Sequence, residues 1–180
     1  MKKKKTDFGA QFWSGTRKHT ALGLLETFFQ FNDLAEVKEN LSTMVQYSVQ
    51  KNARIREDSA EIFHLYQSLR SLVRACRLIG KKAEKGSFKA ISETHVPRTM
   101  TGFLSAEEYR DPVRVFRSAF KACSPEEYDE FLSAMVYFSL GDQRCEEERK
   151  IVIPYLRLMK MLDAAWLIVE RASAQKATGK

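Results

Sequence analysis

Four basic residues in the middle of the sequence are spaced so that they can form one anion-binding face. Arg70, Arg74, Arg77 and Lys81 follow one another at intervals of four, three and four residues. In an α-helix, with about 100° of rotation per residue, this spacing places them within about 60° of one face. A guanidinium group is a planar, permanently charged fork that binds phosphate or carboxylate through two hydrogen bonds. Since Lys82 follows directly, the sequence predicts a polyanion-binding surface formed by these five residues.

The four residues at helical spacing, here called the basic stripe, allow three interpretations. The first is a surface for a nucleic-acid backbone, assisted by the Lys2–Lys5 run, and it is the binding function we prefer. In that case each neutralised phosphate releases counterions, so binding weakens steeply with salt. The second is a solvated helix face whose cations favour the helix C-terminus. The third is pairing with an acidic protein surface, for which this chain has its own candidate, the acidic block at residues 126–130. No aromatic residue is interleaved with the basic stripe, so recognition of specific bases is not predicted.

The alternative function is a protein–protein contact or a self-assembling subunit. Its candidate surfaces are the acidic block and the aromatic arm Phe8–Trp13, which precedes the first predicted helix. Aromatic side chains often dominate the energy of an interface. An arm of this kind also folds back onto its own bundle, and that is the reading we prefer for it. Homo-oligomerisation therefore stays open.

Motifs that hold metals or nucleotides are nearly absent. Glu61 and His64 stand at i and i+3, the spacing that ferritin-like di-iron sites use twice. Here the motif occurs once and begins at a predicted helix start, so we expect no metal. The glycines form neither a Walker motif nor a GxGxxG arrangement, and we expect no nucleotide cofactor.

Nucleophilic catalysis is not predicted either. Cys76, Cys123 and Cys145 are widely spaced, and no apolar signal segment precedes them, so reduced thiols in a cytoplasmic protein are expected. A binding module is therefore favoured over an enzyme. The remaining candidate for chemistry is the region of His95 and Arg98.

Apolar residues recur at helical spacing through nearly the whole chain. Helix starts are marked by an acidic or hydroxyl residue followed three positions later by Glu, at Asp33, Asp58 and Ser124. Gly80 stands where a left-handed helix cap is expected. The predicted helices cover residues 16–31, 34–51, 59–79, 112–120 and 125–140, with a last helix that begins or kinks at Pro154.

The sequence therefore predicts an all-α fold, a single-domain bundle of five or six amphipathic helices over residues 1–180. Residues 1–7 and 173–180 are expected to be flexible tails. Residues 81–102 are expected to form a long connection that is mobile, functional or contains a short helix at 87–94. The net charge is +7, and no apolar run approaches the roughly 20 residues of a membrane span, so no membrane partner is expected.

Overall fold

The computed structural model describes residues 8–15, 20–51, 53–56, 58–86, 88 and 102–178. Every regular element within these ranges is an α-helix, so the predicted all-α class is confirmed. The eight helices are α1 (Phe8–Ser14), α2 (Ala21–Phe31), α3 (Leu34–Val49), α4 (Ser59–Glu84), α5 (Ala106–Arg110), α6 (Val113–Ala122), α7 (Pro125–Leu140) and α8 (Glu148–Thr178).

Six of the helices have ten residues or more and correspond to the predicted ones. The additional two, α1 and α5, have seven and five residues, too few for apolar periodicity to identify them. The first predicted helix starts later than expected. Its helical residues begin at Ala21, because the side chain of Thr20 accepts the free backbone N–H of Gly23 at 2.9 Å and caps the helix there.

The three predicted helix starts are present with their capping side chains. Asp33 accepts the backbone N–H groups of Ala35 and Glu36, and Asp58 accepts that of Ala60. The reciprocal capping box is formed at Ser124, where the hydroxyl and the Glu127 carboxylate each accept the other residue's backbone N–H. A second box, at Ser105, opens α5.

The C-terminal half of α4 differs from the prediction. Gly80 does not end the helix, which continues through Glu84. Gly80 faces α6 instead, where a Cβ at position 80 would lie 3.6 Å from the Cβ of Phe116, an ordinary contact distance. The left-handed glycine after the helix is Gly86, with φ of +65°. The expected 81–102 connection therefore starts with four helical residues, and residues 87 and 89–101 lie outside the described part of the chain.

The last helix is longer than the expected one. It begins at Glu148, contains Pro154 within its first turns, and runs to Thr178. The expected C-terminal tail therefore overlaps this helix, and Lys176 forms an ion pair at 2.6 Å with Glu26 of α2. The expected N-terminal tail, residues 1–7, lies outside the described residues.

Helix α4 lies at the centre of the packing and contacts α1, α2, α6, α7 and α8. Its predicted apolar stripe is buried throughout, because it faces the side chains of these surrounding helices. Fully buried residues of the other helices complete one contiguous core. They include Phe28, Leu41, Phe116, Tyr128, Met135 and Leu158. Because the apolar side of α4 is turned inward, the basic stripe is turned toward the surface.

The aromatic arm packs against this core, as we preferred from the sequence. Trp13 is 5% exposed, and its indole N–H donates to the Ser71 hydroxyl of α4 at 3.1 Å. Its ring meets that of Phe28 edge to face, with centroids 6.1 Å apart. Phe12 points away and is 80% exposed. The arm therefore offers at most part of its aromatic surface to another molecule.

Candidate anion-binding groove

The basic stripe borders a groove of about 640 Å³ on the surface of the bundle. Residues of α4 run along it, and the first turns of α2 and α7 stand beside them. We call this the cationic groove, because all four members of the basic stripe line it. Its apolar lining is substantial, and two acidic residues from α7 are also present. The other lining residues used below are Leu24, Val73, Leu78, Glu126, Asp129 and Leu132.

Arg70 is already engaged by the protein itself. Its Nε and Nη2 groups both donate to the carboxylate of Asp129 on α7, the second at 2.8 Å. The guanidinium carbon lies 5.2 Å from the centroid of the Tyr66 ring. The Arg70–Asp129 pair is thus an example of the third interpretation of the basic stripe, pairing with the chain's own acidic block. Arg70 therefore ties α4 to α7, and we assign it a structural role at the edge of the groove.

The remaining predicted cations differ in their surroundings. Arg77 is half-buried, whereas Arg74, Lys81 and Lys82 are exposed. Arg74 takes part in an interaction within the chain. Arg77, Lys81 and Lys82 have no ion pair or side-chain hydrogen bond to the residues that the structure describes. These three cations are therefore the part of the predicted surface that can receive a new anionic partner without first losing a contact to another described residue.

Two helix N-termini add to the electrostatics of the cationic groove. Thr20, the N-cap of α2, and Pro125, the first residue of α7, both line it. The N-terminus of an α-helix carries a partial positive charge from its unsatisfied N–H groups. On α7 this is offset by Glu126 and Glu127 in the first turn. The positive contribution is therefore concentrated at α2 and along the α4 cations.

The acidic block does not form one surface. Glu126 lines the cationic groove, and Asp129 there neutralises Arg70. Glu127 and Glu130 line a different groove on the other side of α7. Residues adjacent in sequence on a helix are separated by about 100°, so an acidic run of this length necessarily divides between faces.

Among the described residues, the Glu61–His64 pair considered for metal binding gains no further ligands. Glu61 and His64 are both exposed near the start of α4. Within the described ranges, no group of three or more His, Cys, Asp or Glu residues is placed to hold a metal ion. His95 and Arg98 lie outside those ranges.

The cysteines differ in their burial. Burial raises the pKa of Cys76 well above its usual value, and burial together with the charge of Glu127 raises the pKa of Cys123. Cys145 is half-buried, and all three are free thiols. Since the thiolate is the reactive form, Cys76 and Cys123 are poor nucleophiles.

The walls of the cationic groove are not predicted from the sequence. The sequence predicts Thr20 and Leu24 only as part of a helix that starts at residue 16, and Pro125 only as a helix start, whereas the helices begin at Ala21 and Pro125. The available signal was the pair of N-caps at Thr20 and Ser124, but nothing local shows that two helix starts meet beside α4. That juxtaposition comes from packing.

Compared with known proteins, the chain matches no protein-family model, no curated protein and no solved structure. In the part of the chain that the structure describes, none of the helices is sufficiently long and apolar to cross a membrane.

Proposed function

We propose that this chain is a non-enzymatic helical binding module that holds a nucleic-acid backbone against the cationic groove. The observation that carries the proposal is that Arg77 and Lys81, which line the groove, and the adjacent Lys82, which lies outside its lining, have no carboxylate partner among the described residues. Arg77 and Lys81 are four residues apart on α4, or about 6 Å along the helix axis. One strand of a duplex carries one charge per about 3.4 Å of helix axis, so two cations at this spacing can contact phosphates of the same strand.

The surroundings of the groove favour backbone contacts over reading of bases. The apolar lining is mainly aliphatic, with side chains such as Val73 and Leu78, which offer little hydrogen bonding to base edges. The one aromatic residue among the described lining residues, Tyr128, is fully buried. The Tyr66 ring is covered by Arg70. Contacts to phosphates carry affinity but no sequence information, so binding is expected to tolerate any base sequence. The three free thiols suit a protein of the reducing cytoplasm.

The test is fluorescence anisotropy with a labelled mixed-sequence single strand, RNA and DNA in turn, at increasing salt. For single strands the logarithm of the binding constant falls with the logarithm of the salt concentration by about 0.7 per phosphate neutralised. Replacing Arg77, Lys81 and Lys82 together with Ala removes three contacts, so the slope should fall by about 2 and affinity should drop at low salt.

A matched control keeps the change in net charge the same. Lys51, Arg54 and Arg56 are three exposed cations that precede the start of α4. Since α4 has 26 residues and is about 39 Å long, most of its length separates them from Lys81 and Lys82 near its end. Their triple Ala variant should bind nearly as the wild type does. Wild-type protein without salt-sensitive binding would contradict the proposal. Equal weakening in both triple variants would reduce the effect to overall charge and would equally count against the groove.

A further inference from the structure

A second groove, of about 690 Å³, lies on the other side of α7, between this helix and the beginning of α8. Its walls are fixed to the core, since the backbone N–H of Cys145 donates to the carbonyl of Ser48 at the end of α3 at 2.7 Å. The groove is mainly apolar inside. The apolar residues that form it are Phe131, Met135, Phe138, Ile151, Ile153 and Pro154.

The rim of this second groove is acidic. Two cations line it, Arg144 and Lys150. Four carboxylates outnumber them, and these belong to Glu127, Glu130, Glu146 and Glu147. Lys150 is already paired with Glu147. The hydrogen bond and charge of Glu147, with the charge of Glu130 in addition, raise the pKa of Lys150. We call this site the acidic groove, because its charge balance is opposite to that of the cationic groove.

Part of the apolar surface is unusually open. The Ile153 side chain lines the acidic groove, yet the residue is 54% exposed. Leu156, three positions further along α8, is 44% exposed. Exposed aliphatic side chains beside a concave apolar surface are typical of a site that is covered by a partner.

We propose that the acidic groove docks a basic amphipathic helix of a partner protein. The apolar side of such a helix fills the groove between α7 and α8, as in helix-in-groove recognition, while its Lys and Arg residues meet Glu130 and Glu146. A nucleic acid does not fit, because the rim carboxylates repel phosphates. This inference concerns a different face from the cationic groove and does not depend on it.

The probe is a labelled peptide of about five helical turns with Leu on one face and Lys on the other. Two comparison peptides keep its length: a scrambled order of the same residues, and a version with Glu in place of Lys. Anisotropy should show binding of the Leu/Lys helix only, weakened by salt. Equal binding of the scrambled peptide, preferred binding of the Glu version, or no binding of any peptide would overturn the proposal.

Two protein variants locate the binding surface, each with a matched control. Ile153→Ala should weaken binding roughly tenfold, the effect of burying one aliphatic side chain, whereas Val152→Ala, equally exposed but outside the groove lining, should not. Glu130→Lys should weaken binding and reduce its salt dependence, whereas Glu39→Lys on α3 should not. Circular dichroism confirms that each variant is folded. If control and test variants behave alike, the groove is not the site.

Cys145 provides an independent readout, because it lines the acidic groove and is the most accessible cysteine. Bound peptide should protect Cys145 from alkylation by a maleimide. The alkylation rate, measured by mass spectrometry, should fall in proportion to the fraction of protein that has peptide bound. Unchanged alkylation at saturating peptide would place binding elsewhere and overturn the proposal. Sedimentation of the free protein tests the rival occupant. A dimer that the Leu/Lys peptide dissociates would show that a second copy of the chain covers the groove.

Discussion

Asp163 of α8 should be a major contributor to the stability of this fold. It is 8% exposed, and its Oδ1 accepts a hydrogen bond at 2.7 Å from the ammonium group of Lys38 on α3. Its Oδ2 accepts the backbone N–H of Phe103 at 2.8 Å. The Lys38 ammonium also lies 5.0 Å from the centroid of the Phe103 ring. One carboxylate therefore joins α3, α8 and the segment that leads into α5.

The size of the effect follows from what each substitution leaves unpaired. Asp163→Ala leaves a largely buried ammonium and a backbone N–H without an acceptor, and breaking a buried pair from one side costs about 3–5 kcal/mol. The lower end applies, because the Lys38 side chain is 19% exposed and can turn toward water. Asp163→Asn keeps an acceptor for the Phe103 amide and should cost about 1.5–2 kcal/mol.

Urea unfolding followed by circular dichroism measures these differences. A loss of about 3 kcal/mol corresponds to a fall in Tm of about 6–12 °C for a chain of this length. In a double-mutant cycle, Lys38→Met combined with Asp163→Ala should cost at least about 1 kcal/mol less than the sum of the single changes. The exposed Asp142→Ala is the control and should stay within about 0.5 kcal/mol. A cost below about 1 kcal/mol for Asp163→Ala, or additive single changes, would refute the reasoning.

Replacing Gly80, inside α4, and Gly86, just after its end, with Ala should change the stability of the fold in opposite directions. Gly86 has φ of +65°, so Gly86→Ala should destabilise by about 1–2 kcal/mol. Gly80→Ala should stabilise the fold by about 0.5–1 kcal/mol, because the added Cβ would meet Phe116 only at ordinary contact distance, 3.6 Å. Urea unfolding in which Gly80→Ala is less stable than Gly86→Ala would contradict this. Burial by itself raises the pKa of Glu108, but hydrogen bonds and the charge of Lys160 outweigh it and lower the pKa. Glu108 therefore stabilises the fold above the ordinary glutamate pKa of about 4.3 and loses this contribution as the pH falls through its own lower pKa. In Glu108→Gln, the free energy of unfolding should therefore fall less steeply than in the wild type as the pH is lowered. Equal slopes for the variant and the wild type at acidic pH would disprove this role of Glu108.

The helices were predictable because their signals are local. Capping at Asp33, Asp58 and Ser124 involves residues at most three positions apart, and the apolar stripe of α4 follows the helical period. Gly80 shows the limit of such signals. Glycine favours a helix end in isolation, but Gly80 lies inside α4, which continues to Glu84, and faces Phe116 of α6 at ordinary contact distance.

The candidate site was predictable only in part. The alignment of Arg70 with the other cations follows from spacing alone. Its pairing with Asp129, 59 residues away in sequence, depends on how α7 is rotated against α4. The acidic block looked like one surface in the sequence, yet Asp129 and Glu130 line different grooves.

By itself, the sequence determined that the chain is helical, that α4 has an apolar and a cationic side, and where the main helices are capped. Each of these properties depends on backbone geometry repeated every few residues. Only the tertiary structure decided that Arg70 is neutralised, that Arg77 and Lys81 face a groove, and that α7 separates a cationic groove from an acidic one. Those outcomes depend on the rotation and approach of helices that are distant in sequence, and packing of the whole core sets both.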